Sequence, residues 1–382
     1  MPDVDHASRE SVPGWGDHAS ADRFRPNLWL LDPEVAHLNH GAFGAVPVPV
    51  LRAQQAASEA VERSPEAYYR DWLMRAVVDE RTQVAEFLGV APDGLVLVRN
   101  ATEALQVALD AIGLRAGAAI VYTDHAYVWV KAAIAWACER YGSVARCVPL
   151  PVAKSGEVPA DQLVHALKRA IDESTAVVIL DQITSASALR LPVEEVVAEL
   201  GDSVPIIIDG AHAPGLIERP VPEKAAFWFG NLHKWAFAAR TAAALVVAPA
   251  WRERTRPLVA SAGASLGFPE SFTYLGTQGN SAYLSLHAAL EFPVQHLAMT
   301  FPELVRRNAE VLARGLAILN ERPGARESST SALPMGVIDL GISGDDAAAS
   351  ALADKLRGEG VEVAIVSSSG RLKARISVQA YV

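Results

Sequence analysis

Thiols are scarce in this chain: its 382 residues include two cysteines, Cys138 and Cys147. Cys138 lies in the apolar-periodic stretch A-W-A-C-E-R-Y, where a buried free thiol is the ordinary reading, so a disulfide framework is not expected and a reducing cytoplasm is. Positive charge is also in short supply. Against 44 Asp and Glu stand 34 Lys and Arg, a net charge of −10, and no basic cluster offers to neutralise phosphates, which argues against nucleic acid as a partner. Long apolar runs are missing as well. The longest, residues 242–251, contains Pro249 and falls far short of the roughly 20 apolar residues of a spanning helix, so no membrane partner is expected. The first residues, M-P-D-V-D-H-A-S-R-E, lack the apolar core of a signal peptide. Neither repeats nor low-complexity tracts occur. What is plentiful is apolar: 51% hydrophobic with 20% charged residues is the balance of a large, well-buried enzyme.

Residues 1–25 are rich in Ser, Asp, Gly and Pro and read as a loose arm. The pattern is helical over 51–89. Short β-rich runs then alternate with helical stretches: 95–98, 119–122, 176–180, 205–208, 226–229 and 243–247. Most are nearly continuous apolar runs, as in strands buried on both faces of a largely parallel sheet. Such alternation implies an α/β layer architecture. Helical blocks follow near 281–291 and 301–319, and 336–382 has a strand–helix–strand–strand pattern. The expected division is an N-terminal arm, 1–44, joining a small α+β domain, 293–382, with a large domain, 45–292, between them.

Ligands of open α/β sheets gather at the carboxyl ends of the strands. Five of the runs are followed there by polar or ionisable strings: R-N-A-T-E, T-D-H-A-Y, D-Q-I-T-S-A-S, D-G-A-H and G-N-L-H-K. Any one is compatible with turn chemistry; five on one edge describe a site. Asp209 closes the strand V-P-I-I-I-D, and a buried carboxylate there needs a cationic partner. A protonated pyridine nitrogen is such a partner, and its protonation is what makes pyridoxal phosphate (PLP) an electron sink. The alternative for Asp209 is the N-cap of a helix beginning at Gly210. Lys234, in G-N-L-H-K-W, follows an apolar strand between a histidine and a tryptophan, and a desolvated amine is suited to covalent catalysis as an imine. Asn100-Ala101-Thr102-Glu103 opens an amphipathic helix; its unpaired N–H groups suit a phosphate, although capping alone explains the string equally well.

Three other strings lack the context their chemistry requires. G-A-S-L-G, residues 263–267, matches a hydrolase nucleophile elbow, yet Pro269 follows closely and no Asp/Glu-then-His order suits it beyond Glu270 or Glu291 with His287 or His296. G-W-G-D-H-A, residues 14–19, has no preceding strand. His37 and His40, in H-L-N-H, come without an H-E-x-x-H helix, so loop histidines are expected and a metal is not.

Taken together, L-N-H-G-A-F-G (38–44), N-A-T-E-A (100–104), T-D-H-A-Y (123–127), L-D-Q-I-T-S (180–185), I-D-G-A-H-A-P-G (208–215), G-N-L-H-K-W (230–235), Y-L-G-T (274–277) and R-I-S-V-Q-A-Y (375–381) resemble the class V aminotransferase family of fold-type-I PLP enzymes, in particular its isopenicillin N epimerase-like branch. The resemblance implies a large α/β domain with a mainly parallel seven-stranded sheet and a small α+β C-terminal domain. By the resemblance, Lys234 matches the Schiff-base lysine, Asp209 the pyridine-nitrogen partner and His212 the contact to the ring O3′. Thr102, Asn231 and His233 match phosphate contacts, with Ala101 beside them among the cofactor-binding positions. His125, or in some relatives Tyr127, stacks on the ring, and His125 counts with Lys234 and Asp209 as catalytic. Ser185 lies near the ring oxygen. Arg375 grips the substrate carboxylate, a bidentate task suited to a guanidinium, with Asn39, Gly41 and Gln182 on the substrate side. Thr277 matches a phosphate ligand given by the other subunit of a homodimer with shared sites. Gln182 stands where close relatives often carry His, Ala186 where proline is frequent, and the chain stops soon after its last motif. The implied function is that of a PLP enzyme acting on an α-amino acid or amino-acid-bearing metabolite. Cysteine-conjugate processing in secondary metabolism, as a C–S β-lyase or a decarboxylating or deaminating enzyme, leads. An isopenicillin N-type epimerase and a non-catalytic PLP-fold binding protein are the alternatives.

Overall fold

The computed structural model describes residues 26–327 and 332–382; the loose arm and the string at 14–19 lie outside the described residues. Helix α1 (Val48–Arg63) and helix α2 (Leu73–Leu88) fall in the stretch with helical periodicity, which is not one helix. Pro65 disfavours helical backbone at the residue before it, and Ser64 adopts φ −159°, ψ 75°, ending α1.

Seven strands follow: β1 (Leu95–Val98), β2 (Ala119–Thr123), β3 (Val144–Val148), β4 (Thr175–Asp181), β5 (Ile206–Asp209), β6 (Phe227–Asn231) and β7 (Ala243–Val247). They form one sheet in the order β1-β7-β6-β5-β4-β2-β3. The ladders from β6 through β3 are parallel, while β7 is antiparallel to both of its neighbours. Edge strand β3, V-A-R-C-V, is largely exposed. It carries no continuous apolar run, and charge is a usual feature of an edge, so apolar runs alone do not reveal it.

Helices α3 (Ala101–Ile112) and α4 (Val128–Tyr141) cover one face of the sheet. Leu105, Leu109, Val130 and Ile134 pack there on Val177, Ile179, Ile207 and Phe229. Helix α2, with α5 (Ala160–Ala170) and α6 (Val193–Leu200), covers the other, meeting Val178, Leu180, Ile206, Ile208 and Trp228. The three isoleucines of β5 are fully buried, and burial of each contributes roughly 1.5–3 kcal/mol, enough to tolerate a costly carboxylate at the strand's end.

After α7 (Leu286–Phe292) and α8 (Phe301–Asn320), the latter opened by a Thr300–Glu303 capping box, comes a second sheet. Strands β8 (Arg326–Glu327), β9 (Met335–Ser343), β10 (Ala364–Ser368) and β11 (Arg371–Ser377) are ordered β10-β11-β9-β8. Helix α9 (Asp346–Gly358) links β9 to the rest, and Leu312, Leu316, Ile338 and Ile376 form the core between sheet and α8. The segment before α1 joins this half of the chain: Ala36 and His37 pair in parallel with Val361 and Glu362 as a separate two-stranded sheet, and Gly41 N–H donates to Ser377 Oγ, on β11, at 2.9 Å. Among the described residues no helix is long and apolar enough to cross a membrane.

Candidate active site

Alternation along the strands decides which residues share a side of the sheet. Asp181 follows Ile179, Asp209 follows Ile207, and Asn231 follows Phe229, so all three continue the face covered by α3 and α4. Asp181 and Asp209 are register partners on β4 and β5. Both are buried. Gln182, one residue on, falls on the opposite face. Its Nε2–H donates to Pro220 O at 2.7 Å and its Oε1 accepts from Trp228 Nε1–H at 2.9 Å. Both ends of the amide are consumed in the core, and the structure does not bring Gln182 to the substrate side where the resemblance put it.

No helix starts at Gly210. Asp209 Oδ1 instead accepts the Ala211 N–H at 2.9 Å in a tight turn. Burial pushes Asp209 up to about 6, against the pull of that N–H and of Lys234. Burial and the Asp209 charge together hold Asp181 well above the carboxylate range, since two adjacent carboxylates cannot both ionise freely. Sequence reading passed over Asp181, although V-V-I-L-D closes a buried strand just as I-I-I-D does.

Lys234 lies beyond β6, buried, its amine lowered to about 8 by burial, with Asp209 opposing the shift and Arg375 adding to it. No ion pair joins Lys234 to Asp209 among the described residues, yet each shifts the other. The Trp235 indole N–H donates to His212 Nδ1 at 3.2 Å. Because an indole only donates, the His212 proton sits on Nε2, 3.3 Å from Lys234 Nζ. Burial, and then the Lys234 charge, keep His212 well below the usual imidazole range.

The first turn of α3 lies beside β6. Asn231 Oδ1 accepts the Ala101 N–H at 2.9 Å, and Asn100 Oδ1 accepts from Glu103 N. These bonds leave the Thr102 N–H without an acceptor among the described residues, the group a phosphate would take. Asn231 thus shapes the helix end. His233 is turned by a bond between Nδ1 and Ala242 O at 3.2 Å, and burial lowers it to about 4.

Arg375, on β11, is buried and reaches across to this edge. Its Nη1 donates to Ser185 O and Oγ at 2.8 and 3.1 Å, and its Nη2 to Asn39 Oδ1 at 2.8 Å. Its Nε–H is buried without a partner among the described residues, and burial lowers the guanidinium to about 10. Asn39 and Ser185 therefore position Arg375, whereas Gly41 packs against Met335 and Trp235. Tyr127, half-buried at the start of α4, feels Arg375 and Asp209. His125 Nδ1 lies 2.7 Å from Ser187 Oγ. Thr277 sits exposed in a bend before α7.

The other strings resolve elsewhere. Ser265 is exposed in the 3-10 helix Ala262–Leu266, with no strand leading into it. His37 bonds Glu362 and Asp32 O, and His40 bonds Tyr381 and Lys234 O. A cleft of about 650 Å³ lined by Phe87, Leu216, Phe301 and Val305 contains none of the site residues.

The residues at the edge fit PLP. A buried carboxylate, Asp209, suits a ring nitrogen, a buried amine of lowered pKa suits an aldehyde, and the open N–H of α3 suits a phosphate. Comparison with known proteins points the same way. The chain is 26% identical to an L-cysteine desulfhydrase of Arabidopsis thaliana over 81% of its length and 71% of the relative's. To an L-cysteine desulfhydrase-like protein, lolT1, of Epichloe uncinata it is 25% identical over 66% of its length, spanning 55% of that relative. Its fold is shared with the cystine C–S lyase C-DES (TM-score 0.75, 20% identity, 91% of this chain and 93% of that one). The cysteine desulfurase CsdA of Escherichia coli matches equally (TM-score 0.75, 17% identity, 94% and 93%). The family model for aminotransferase class-V matches residues 44–365, and the chain belongs to that family.

Proposed function

We propose that this chain is a PLP-dependent C–S lyase acting on cysteine or an S-substituted cysteine, with water consumed and a thiol, pyruvate and ammonia released. The observation that carries the reading is one convergence. A buried amine of lowered pKa, Lys234, and a buried guanidinium with an unpartnered Nε–H, Arg375, meet at the edge that holds Asp209. Bound there, PLP would supply a ring that accepts electron density from the substrate's α-carbon.

The chain's own groups account for the rest. Asp209 stays ionised opposite a protonated ring nitrogen, with Asp181 beside it keeping its proton. Arg375 turns its free donor to the substrate carboxylate, orienting the α-carbon. Lys234 would hold the cofactor's aldehyde and, as a buried amine lowered to about 8, would take the α-proton at Nζ, with His212 Nε2 3.3 Å away. With the α-proton removed, the Cβ–S bond breaks and sulfur leaves with its electron pair.

The positions of the thiols support lysis over sulfur transfer to the protein. Cys147 lies on β3 and Cys138 on α4. Strand β3 is three strands from β5, roughly 14 Å at the usual spacing, and neither thiol belongs to the edge described above. The relatives' names, desulfhydrase and C–S lyase, fit the same reading. We place the enzyme in the cytoplasm as a homodimer in which Thr277 of each subunit completes the other's phosphate site, within the isopenicillin N epimerase-like branch and its secondary-metabolite chemistry. A panel of L-cysteine, L-cystine and S-alkyl cysteines, scored for pyruvate, racemisation and carbon dioxide, tests the reaction. Pyruvate matching the thiol released is expected; inversion at the α-carbon without pyruvate means an epimerase, and carbon dioxide a decarboxylase.

A further inference from the structure

Three residues of the loop after β4 form a chain of hydrogen bonds that ends on His125. Its distances favour one direction. The Leu189 N–H donates to Thr184 Oγ1 at 2.8 Å. The Thr184 hydroxyl then has two acceptors in reach, Ser187 Oγ at 2.7 Å and Leu189 O at 3.4 Å. The second is at the limit of a hydrogen bond, while 2.7 Å is the usual O–H···O distance. Distance favours the Thr184 hydroxyl donating to Ser187, and in that arrangement the Ser187 hydroxyl donates to His125 Nδ1 at 2.7 Å. That leaves the His125 proton on Nε2, which makes no hydrogen bond among the described residues.

We propose that Ser187 is a positioning residue that fixes His125 in its Nε2–H form, so that the imidazole meets the substrate as a hydrogen-bond donor. The proposal rests on the C–S lyase reading for the donor's target: the sulfur, which gains negative charge as the Cβ–S bond breaks. Burial lowers the imidazole's pKa, in keeping with a neutral ring, and a neutral ring is a donor at Nε2 only if Nδ1 is kept as an acceptor. Removing the Ser187 hydroxyl frees the ring to change tautomer and to rotate. Thr184 keeps its bond from Leu189, so the loop has no reason to unfold.

The test uses the PLP-loaded full chain with ¹⁵N-labelled histidine, the His125 signals being assigned by their loss in His125→Asn. The expected spectrum shows an unprotonated Nδ1 and a protonated Nε2. Ser187→Ala should mix or reverse the two, and Ser187→Thr should restore them. A positioned proton donor is worth about 100- to 10,000-fold, so Ser187→Ala should lower kcat roughly ten- to a hundredfold with KM little changed, and Ser187→Thr should recover most of it. A parent spectrum with the proton on Nδ1, or one unaltered by Ser187→Ala, overturns the relay whatever the substrate proves to be. An altered tautomer with undiminished kcat on whichever substrate is turned over overturns the positioning role. If no cysteine conjugate is turned over, the lyase reading fails alone and the spectra still decide the relay.

Discussion

Arg375→Lys keeps the positive charge, and the structure says why charge is not enough. The guanidinium has five donors. It directs three of them at Ser185 O, Ser185 Oγ and Asn39 Oδ1, with Nε–H and the second Nη2–H left over. An ammonium has three donors, and the same three acceptors are waiting to take them, so nothing remains for a substrate carboxylate. A charge-assisted hydrogen bond is worth about 1.5–3 kcal/mol, and its loss from the transition state lowers kcat/KM roughly ten- to a hundredfold. To separate carboxylate binding from general damage, L-alanine and ethylamine, which differ by the carboxylate alone, can be titrated against the cofactor absorbance. The parent should favour alanine, and Arg375→Lys should erase most of that preference while leaving PLP binding alone. If the variant keeps the parent's preference within about threefold, Arg375 does not read the carboxylate.

Other consequences are as direct. Asp181 binds a proton in the folded chain that the unfolded chain, with a carboxyl value near 3.8, has given up; the stability this supplies is complete below about pH 4 and is lost as pH rises through the folded value. The urea midpoint of the parent apoprotein should therefore fall more steeply between pH 5 and 8 than that of Asp181→Asn, and parallel profiles would show that Asp181 ionises normally. Gln182→Glu puts a carboxylate against Pro220 O and should cost about 1–3 kcal/mol of stability, seen in urea unfolding, with KM unchanged; a raised KM in a fully folded variant would return Gln182 to the substrate side. Mixing Lys234→Ala with Thr277→Ala subunits should restore activity at limiting PLP, because heterodimers pair one doubly damaged site with one intact site, and no recovery from subunits that demonstrably exchange would contradict the shared site.

Legibility of the site depended on how local each signal was. The strand-end strings led to the edge where Asp209, Asn231 and Lys234 sit, because an apolar run followed by a polar residue is a feature of neighbouring positions. The alternation of side chains is equally local: Asp181 and Gln182 are adjacent in one string, so they face opposite sides of the sheet, and only the first lies beside Asp209. The resemblance puts Ser185 near the ring oxygen and Asn39 on the substrate side. Both bond Arg375, across separations of 190 and 336 residues, which no local pattern reports. The break at Ser64 and the exposed edge strand β3 also escaped the apolar periodicity. The first follows from a single proline; the second is a strand set by its neighbour's hydrogen bonds more than by its own hydrophobicity.

The central claim is that Lys234 is the amine that carries the cofactor. Its most direct test is borohydride reduction of the PLP-loaded chain followed by peptide mapping, with Lys234→Ala alongside. A pyridoxyl label on the peptide containing Lys234, and loss of the yellow absorbance in a folded Lys234→Ala variant, are the predicted results; a label on any other lysine would contradict the account.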